Sequence, residues 1–260
     1  MPFQEHYVEV DGFRIGYRSA GDGPPLVHLH GAGGLRVNAA HELLSQRFHV
    51  IAFEMPGFGA EENTRTRDMP ELAATMVQAI QAAGLSSINL MGTSFGANVA
   101  LNVAVRKPDL VHALVLEAPA AIRPAGLRPP SGQPEAIARM LYAHPERMPA
   151  LPPVDPARAV RIATLTKRLR GLDREPDLEA RMSGLTMPVL VVLGTRDTLI
   201  PPEMGRLYKD LIPGAHLVFV YDAGHAIAAE RPEAFADVVG DFLEREDAFV
   251  ISRATTVLLP

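Results

Sequence analysis

Short apolar runs alternate with helical patterns along most of this chain. Eight runs have the length of strands, and the later six are continuous and rich in valine, leucine and isoleucine. The runs are 6–10, 14–19, 26–30, 48–53, 88–92, 111–117, 189–194 and 216–221. Continuous apolar runs are typical of parallel strands that are buried on both faces. The alternation therefore predicts an α/β fold with an eight-stranded, mostly parallel sheet flanked by helices.

Turn and cap signals refine this pattern. Asp11-Gly12 is a two-residue turn signal, which predicts that the first two strands form a hairpin. Asp68 can cap a helix that closes at Gly84. Two more helices are predicted over 95–106, which ends before a proline, and over 232–243.

One stretch interrupts the alternation. Ten of the 23 prolines fall between Pro119 and Pro156, a density that favours loops and helix starts over strands. Asp155-Pro156 predicts a capped helix start. Apolar residues follow at helical spacing at Ile162, Leu165, Leu169 and Leu172. We therefore expect a core formed by 1–121 and 185–260, with a small helical cap over 122–184 inserted after the sixth strand.

Composition excludes several classes of site and partner. The chain has no cysteine, which rules out disulfides, thiolate zinc sites and a cysteine nucleophile. A net charge of −5 argues against a nucleic-acid surface. No apolar run reaches the roughly 20 residues of a membrane span, and the first ten residues lack the pattern of a signal peptide. We expect a cytoplasmic protein, a monomer or homodimer, that acts on a small molecule without membrane or nucleic-acid partners.

The sharpest motif is Gly-Thr-Ser-Phe-Gly at 92–96. It follows an apolar strand and opens a helix, which is the context that makes a G-x-S-x-G pattern informative. Small residues leave room for the cramped turn, and the helix N-terminus favours developing negative charge. A glycine-rich turn with an incidental serine at Ser94 is the alternative.

A second motif, His-Gly-Ala-Gly-Gly at 30–34, follows the third strand. Small residues allow backbone N–H groups to approach a substrate oxygen closely, as an oxyanion hole requires. A simple tight turn is the alternative. A phosphate-binding loop is disfavoured because the chain lacks the P-loop pattern.

An acid and a base follow two later strands. Asp197 lies just after the seventh strand, and His225 lies just after the eighth. Carboxyl ends of parallel strands meet at one edge of the sheet, where α/β proteins bind ligands. Taken alone, Asp197 could be a turn residue and His225 a surface histidine. The chain order Ser94, Asp197, His225 is the order expected for an α/β-hydrolase and differs from both serine-protease orders.

With these motifs in register, the sequence resembles the α/β-hydrolase superfamily, and most closely the bacterial members with a small cap. The resemblance implies Ser94 as nucleophile, His225 as base and Asp197 as the acid that orients it. It implies the backbone N–H groups of Ala32 and Phe95 as oxyanion donors, and a cap over the cleft. It also implies that neither a metal nor an organic cofactor is needed.

The resemblance leaves the reaction open within this superfamily. Ester hydrolysis through an acyl-enzyme is the expected activity, with thioester, lactone and carbon–carbon bond hydrolysis and perhydrolysis as alternatives. Carbon–carbon hydrolases often have Asn before the serine and Trp after the histidine, where this chain has Thr93 and Ala226. Asn38 is compatible with that subfamily. A ligand receptor that keeps the fold without turnover is an alternative of another class.

Other residues have weaker signals. Glu117 ends a strand and is an alternative acid, Glu54 is interpreted as structural, and His28 and His30 are expected to brace loops instead of binding a metal. A basic run on the predicted cap helix is interpreted as its solvated side, with a role in binding an acidic substrate as the alternative. The run comprises Arg158, Arg161, Lys167, Arg168 and Arg170. Weak candidates for the substrate pocket are Gly33, Phe58, Met140, Tyr142 and Ile200.

Overall fold

The computed structural model describes residues 2–127, 130, 132–151 and 155–249. Its centre is an eight-stranded sheet in the order β1-β2-β4-β3-β5-β6-β7-β8. The strands are β1 Gln4–Val10, β2 Phe13–Ala20, β3 Pro25–Leu29, β4 His49–Phe53, β5 Ile88–Thr93, β6 Val111–Glu117, β7 Val189–Gly194 and β8 His216–Val220. Strand β2 pairs antiparallel with β1 and β4, and all other pairings in the sheet are parallel. The predicted fold class and the predicted hairpin are confirmed.

The α-helices within the described residues connect these strands. They are α1 Ala39–Leu44, α2 Met69–Ala82, α3 Phe95–Arg106, α4 Pro134–Leu141, α5 Pro156–Leu169, α6 Pro176–Met182, α7 Met204–Leu211, α8 Ile227–Glu230 and α9 Pro232–Arg245. Helices α1, α8 and α9 pack on one another, and α2 and α6 pack on α3. No helix in the described part of the chain combines the length and the apolar character that crossing a bilayer needs.

Consecutive residues of the central strands are buried, so helices and loops cover both faces of the sheet. In β5 and β7, apolar side chains that point to opposite faces are equally inaccessible to solvent. This continuous burial is the physical origin of the uninterrupted apolar runs in the sequence.

The predicted helix boundaries are confirmed at most ends. Asp68 accepts a hydrogen bond from the backbone N–H of Glu71 and caps α2, and Asp155 accepts one from Ala157 and caps α5. The prediction was wrong at Leu172, which is 62% exposed and lies beyond α5. Gly171 adopts a φ of +61°, a left-handed conformation that an α-helix cannot continue through.

Short helices that the sequence did not predict complete the fold. Helix α1 has only six residues, and Asn38 caps it by accepting a hydrogen bond from the backbone N–H of His41. Helix capping thus gives this side chain a structural role, and its compatibility with the carbon–carbon hydrolase subfamily stays a prediction. Helices this short are stabilised by tertiary packing, so their sequences have a weak periodic signal.

Three helices, α4, α5 and α6, lie between β6 and β7, where the insertion over 122–184 is predicted. Residues 128–129, 131 and 152–154 of that segment, and 250–260 of the predicted core, lie outside the described residues. The division of the chain into a core and a cap therefore stays a prediction.

Helix α3 approaches β3 so closely that only glycine fits at the contact. A Cβ atom at Gly96 would lie 2.1 Å from the carbonyl oxygen of Leu29 and 2.4 Å from that of His30. Backbone oxygens at the end of a buried strand cannot move aside at low cost. Gly96 therefore sets the distance between the helix and the sheet.

We expect Gly96→Ala to lower the free energy of unfolding by about 1–3 kcal/mol, the usual cost of overpacking a rigid site. Gly214→Ala is the matched control, because a Cβ there has no heavy atom within 4 Å. Urea unfolding followed by circular dichroism measures both. Equal midpoints for the two variants would contradict the close approach of α3.

Candidate active site

Ser94 lies on a sharp turn between β5 and α3. Its φ of 54° and ψ of −110° are rare for a residue with a side chain, and such a conformation costs on the order of 1–3 kcal/mol. Four backbone hydrogen bonds hold the turn. The Ser94 N–H donates to Glu117, and the Ser94 carbonyl accepts from Ala97, Asn98 and Ala120.

Glycine at 92 is also required by this turn. A Cβ at Gly92 would lie 2.5 Å from the carbonyl oxygen of Gly96 and 2.6 Å from the Cα of Ala97. The first turn of α3 thus folds back onto the end of β5, and the side chain of Ser94 projects from the tip. This explains physically why both outer positions of the motif are glycine.

His225 connects Ser94 to Asp197 across the carboxyl edge of the sheet. His225 Nε2 lies 2.9 Å from Ser94 Oγ, and His225 Nδ1 lies 2.8 Å from Asp197 Oδ2. The other carboxylate oxygen of Asp197 accepts hydrogen bonds from the backbone N–H groups of Leu199 and Ile200. With both oxygens engaged, Asp197 is fixed in orientation, and its side chain is inaccessible to solvent. In such an arrangement an imidazole can accept the serine proton while the carboxylate holds its tautomer.

The glycine loop after β3 lies beside Ser94. A Cβ at Gly31 would lie 3.6 Å from the Cβ of Ser94, and the Gly34 N–H donates to the Gly31 carbonyl to close the turn. Ala32 lies at the exposed tip of this turn. Phe95 is the first residue of α3, a position whose N–H has no partner within the helix. Both predicted N–H donors are thus on segments next to Ser94.

His30 anchors the glycine loop. Its Nδ1 lies 2.7 Å from the Gly31 carbonyl oxygen, and its Nε2 accepts a hydrogen bond from the Met55 N–H. Burial lowers the pKa of His30 to about 4, so the ring is neutral at physiological pH. Both ring nitrogens of His28 are also occupied, by His41 and Thr93. Among the described residues, no group of three or more His, Asp or Glu side chains is placed to hold a metal ion.

Glu117 is buried behind the serine and does not contact His225. Its Oε2 lies 2.6 Å from Thr93 Oγ1, and its Oε1 accepts a hydrogen bond from the Ala228 N–H. Burial raises the pKa of Glu117 above its usual value. The structure therefore places Asp197, and not Glu117, against His225.

The segment between β6 and β7 contacts the loops of this site at two places. The Leu141 carbonyl accepts a hydrogen bond from the Ala226 N–H, one residue after His225. On α5, Leu165 fills the space beside Gly57, so that a Cβ there would lie 2.5 Å from the Leu165 side chain. Helix α5 therefore packs on the loop after β4, and the end of α4 packs on the loop after β8.

The basic run on and just after α5 is a solvated face only in part, because Lys167 and Arg168 are exposed whereas Arg158 and Arg170 are half-buried. Arg158 donates to the Phe58 carbonyl, at 2.6 Å from Nη2, and also lies 3.7 Å from Glu54. Arg168 donates to the carbonyls of Thr66 and Asn63, and Arg170 donates to the carbonyl of Leu127 and to Asp173. These guanidinium groups satisfy loop carbonyls and hold α5 in place.

The weak pocket candidates fall into two groups. Phe58 and Ile200 have 0% and 1% of their surface exposed, so neither faces a cleft. The Phe58 ring packs against Phe95, and the Ile200 N–H binds Asp197, so both support the site from within. Gly33 is exposed, and Met140 and Tyr142 are half-buried. Sequence reasoning missed His41, which no motif marks, and it gave no role in the site to Thr93, although Thr93 lies within the motif at 92–96.

Comparisons with known proteins bear on the family and the fold of this chain. A family model described as the alpha/beta hydrolase family matches residues 26–238. The 2-hydroxymuconate semialdehyde hydrolase of Pseudomonas putida is 28% identical over 263 residues, which cover 91% of this chain and 93% of that enzyme. The polyketide synthase ThaQ of Burkholderia thailandensis is 29% identical over 90% of this chain, which spans 12% of that synthase.

Solved structures show the same fold. The structure of a serine hydrolase involved in carbazole degradation matches with a TM-score of 0.77 and 23% identity, covering 94% of this chain and 99% of that one. A membrane phospholipase A matches with a TM-score of 0.78 and 24% identity, covering 93% of this chain and 86% of that one.

Buried neutral histidines predict an acid-sensitive fold. Burial lowers the pKa of His30 and of His41 to about 4, whereas an unfolded chain protonates histidine near 6.5. The unfolded state therefore binds more protons between these values, and each residue lowers the stability by up to about 3 kcal/mol as the pH falls from 6.5 to 4. Urea unfolding across this interval measures the slope.

In the variant His41→Gln, the unfolded and folded states should differ by close to one bound proton fewer. The slope of the free energy of unfolding against pH should therefore be smaller by about 1.4 kcal/mol per pH unit where it is steepest. His112→Gln, at an exposed histidine, is the matched control. An unchanged slope in His41→Gln would contradict a neutral, buried His41.

Proposed function

Because the chain belongs to the alpha/beta hydrolase family, we propose that it is a serine hydrolase that cleaves an ester-type bond in a small carbonyl substrate. The observation that supports this most strongly is the contact of Ser94 Oγ with His225 Nε2, backed by Asp197 on His225 Nδ1. A hydroxyl, an imidazole and a carboxylate in this order have the components of nucleophilic acyl transfer.

In the proposed mechanism, Ser94 Oγ attacks the substrate carbonyl carbon as its proton moves to His225 Nε2. The imidazolium then protonates the leaving alkoxide, which departs as an alcohol and leaves an ester on Ser94. Water attacks this acyl-enzyme with His225 as base, and collapse of the second tetrahedral intermediate returns the proton to Ser94. Asp197 holds the tautomer and stabilises the imidazolium.

The backbone N–H groups of Ala32 and Phe95 would hold the oxyanion of each tetrahedral intermediate. Their position on the glycine loop and on the first turn of α3, both beside Ser94, supports this role. Preorganised backbone donors need no rearrangement when charge develops, and losing one such donor typically costs about 10²–10³ in rate.

We also propose that 122–184 is a cap that shapes the substrate pocket. The accessible residues that line this pocket would be Gly33 from the glycine loop and Met140 and Tyr142 from the cap. The support is the contact of the α4 end with the loop that carries His225, and of α5 with the loop after β4. A segment fixed against both loops lies at the carboxyl edge of the sheet, where substrate would enter.

Hydrolysis of a carbon–carbon bond is the second candidate. The similarity to 2-hydroxymuconate semialdehyde hydrolase extends over nearly the whole of both chains and supports it. Thr93 and Ala226 occupy the positions where such hydrolases often have Asn and Trp. We therefore rank this activity below ester hydrolysis.

We expect Ser94→Ala to fold normally and to lose ester turnover by about 10³-fold or more, because no other group supplies the nucleophile. A serine-reactive phosphonate should label the wild type at Ser94, as read by peptide mass spectrometry. Ser87→Ala, at an exposed serine just before β5, is the matched control. Turnover in Ser94→Ala close to that of the wild type would disprove the assignment, and a wild type without turnover would favour a receptor.

The cap proposal predicts selective effects on a panel of esters, thioesters, lactones and vinylogous diketones. Met140→Trp should change kcat/KM by about tenfold or more for some members and little for others, since pocket shape discriminates among substrates. Val160→Trp, at a site on α5 that is 66% exposed, should leave all ratios unchanged. If Met140→Trp changed kcat/KM by the same factor for every substrate, the cap would not shape the pocket. The panel also decides between ester and carbon–carbon cleavage.

A further inference from the structure

A short segment of the proposed cap lies against the loop that carries His225. We call residues 141–146, which begin at the last residue of α4, the strap, and residues 222–226 the base loop. The Leu141 carbonyl oxygen accepts a hydrogen bond from the Ala226 N–H, at a distance of 3.0 Å. The strap is therefore joined to the base loop directly beside the imidazole that contacts Ser94.

Glu230 holds the strap and the base loop together. Its Oε1 accepts a hydrogen bond from the His144 N–H at 3.1 Å, and its Oε2 accepts one from the Gly224 N–H at 2.6 Å. A Cβ at Gly224 would lie 2.6 Å from the backbone nitrogen of Ala143, so the two backbones are in direct contact here. A carboxylate suits this position, because hydrogen bonds that N–H groups donate to a charged oxygen are about twice as strong as those between neutral groups.

A side-chain contact joins the strap to the first residue of the base loop. His144 Nε2 lies 2.8 Å from Asp222 Oδ2, and the same carboxylate binds Arg231 at 2.7 Å and Arg196 at 2.9 Å. The hydrogen bond from His144 and the charges of the two arginines lower the pKa of Asp222. The backbone of Asp222 has a φ of 54°, a left-handed conformation that is strained in a residue with a side chain, so the loop depends on such contacts.

The base loop is also held by the loop that carries Asp197. The Asp222 N–H donates to Thr195 Oγ1, and the Ala223 carbonyl accepts from the Arg196 N–H, both at 2.9 Å. The base loop thus has two supports, one at the end of β7 and one in the proposed cap. The support from the strap is the one that changes if the cap changes its position.

We propose that Glu230 is a positioning residue that couples the proposed cap to His225. By holding the strap on the base loop, it makes the position of the cap one determinant of the distance between His225 Nε2 and Ser94 Oγ. The cap then influences the rate of the chemical step as well as the shape of the pocket. This catalytic consequence rests on the proposed function, whereas the coupling of the strap to the base loop does not.

The expected size of the effect follows from the geometry of the base. His225 Nε2 lies 2.9 Å from Ser94 Oγ, a distance that leaves little room for displacement before the hydrogen bond is lost. A catalytic group misplaced by about 1 Å can cost about 10²-fold in rate. Glu230 binds backbone N–H groups and not the reacting atoms, so it acts through His225.

The test compares Glu230→Ala and Glu230→Gln with a matched control. Alanine removes both hydrogen bonds, whereas glutamine keeps the size of the side chain but turns an NH₂ group towards one of the two N–H donors. Both variants should therefore release the strap from the base loop. Glu233→Gln is the control, because Glu233 is exposed at the start of α9 and its substitution removes the same charge.

Amide hydrogen exchange is the first readout and needs no activity. The N–H of Gly224 donates to Glu230, whereas the N–H of Ala226 donates to Leu141 of the strap. In both Glu230 variants these two N–H groups should exchange about tenfold faster or more, because the strap is free, while Thr195, whose N–H donates to the carbonyl of β8, should keep its rate. Faster exchange at Gly224 alone would mean that Glu230 supports its own loop without holding the strap, and would overturn the proposal.

Proton NMR of the imidazole is the second readout. The proton on His225 Nδ1 lies in the 2.8 Å hydrogen bond to Asp197 and should give a low-field signal in the wild type and in Glu233→Gln. In the Glu230 variants this signal should shift or broaden, because the imidazole is no longer held in one position. An unchanged signal would overturn the positioning role. Neither readout needs turnover, so both remain valid if the proposed function fails.

Kinetics is the third readout. The Glu230 variants should lower kcat by about 10-fold to 10²-fold, since loss of alignment slows the chemical step. The number of active sites, counted by complete labelling of Ser94 with the phosphonate, should stay the same, which separates misalignment from a loss of folded protein. If Glu230→Ala does not fold, Glu230→Gln decides the proposal in all three readouts.

A substitution on the strap tests the coupling from the side of the cap. His144→Leu removes the imidazole contact with Asp222 and keeps the backbone N–H that Glu230 accepts. It should lower kcat in the same direction and add little to Glu230→Gln, because two substitutions that release one element are not additive. If the two effects multiply in the double variant, or if either substitution alone leaves kcat at the value of the wild type, the proposal is refuted.

Discussion

The left-handed turn at Ser94 is the constraint on which the rest of the site depends. A residue with a side chain is strained at a backbone φ of 54°, so the surrounding structure must hold Ser94 in this conformation. Glycine at 92 and at 96 lets α3 fold onto β5 and β3. The Ser94 N–H donates to the Glu117 carbonyl, and the Ser94 carbonyl accepts from Ala97 and Ala120, so that the backbone of the turn is held in place. The hydroxyl thus projects from a rigid tip, which is what a nucleophile needs if it is to be oriented before substrate arrives.

The parallel sheet brings together groups that are far apart in the chain. Ser94 and His225 are 131 residues apart, and Asp197 and His225 are 28 residues apart, yet each pair is in hydrogen-bond contact. Strands β5, β6, β7 and β8 are neighbours in the sheet and end at the same edge. The glycine loop after β3 reaches that edge from the other side of β5. The same order places Glu117, at the end of β6, between the serine and the acid.

Polar contacts, more than apolar burial, hold α4 and α5 in place, whereas α6 buries Leu178 and Met182. Helix α4 has no buried residue, and α5 buries only Leu165 and Leu169. The guanidinium groups of Arg158 and Arg168 instead satisfy carbonyl groups of the loop after β4. Such contacts allow a segment to be fixed while its surface remains open to variation, which suits a region that we propose sets specificity.

The sequence alone predicted which strands are buried, the hairpin, the helices α2, α3, α5 and α9, and the candidate catalytic residues Ser94, Asp197 and His225. These features depend on local signals, since apolar runs report burial and turn or cap residues report chain reversals. The sequence also indicated the tight turn around Ser94 through its two glycines, because only glycine fits where two backbone segments lie this close together.

Only the tertiary structure decided the features that depend on contacts between distant segments. The sequence could not show that Arg158 and Arg168 bind loop carbonyls, that Asn38 caps α1, or that Phe58 is fully buried. It also left Glu117 as a rival acid, because a carboxylate at a strand end has the same local pattern whether it faces His225 or Thr93. The direction of that side chain depends on which neighbouring strand supplies its partner, and this pairing exists only once the sheet has formed.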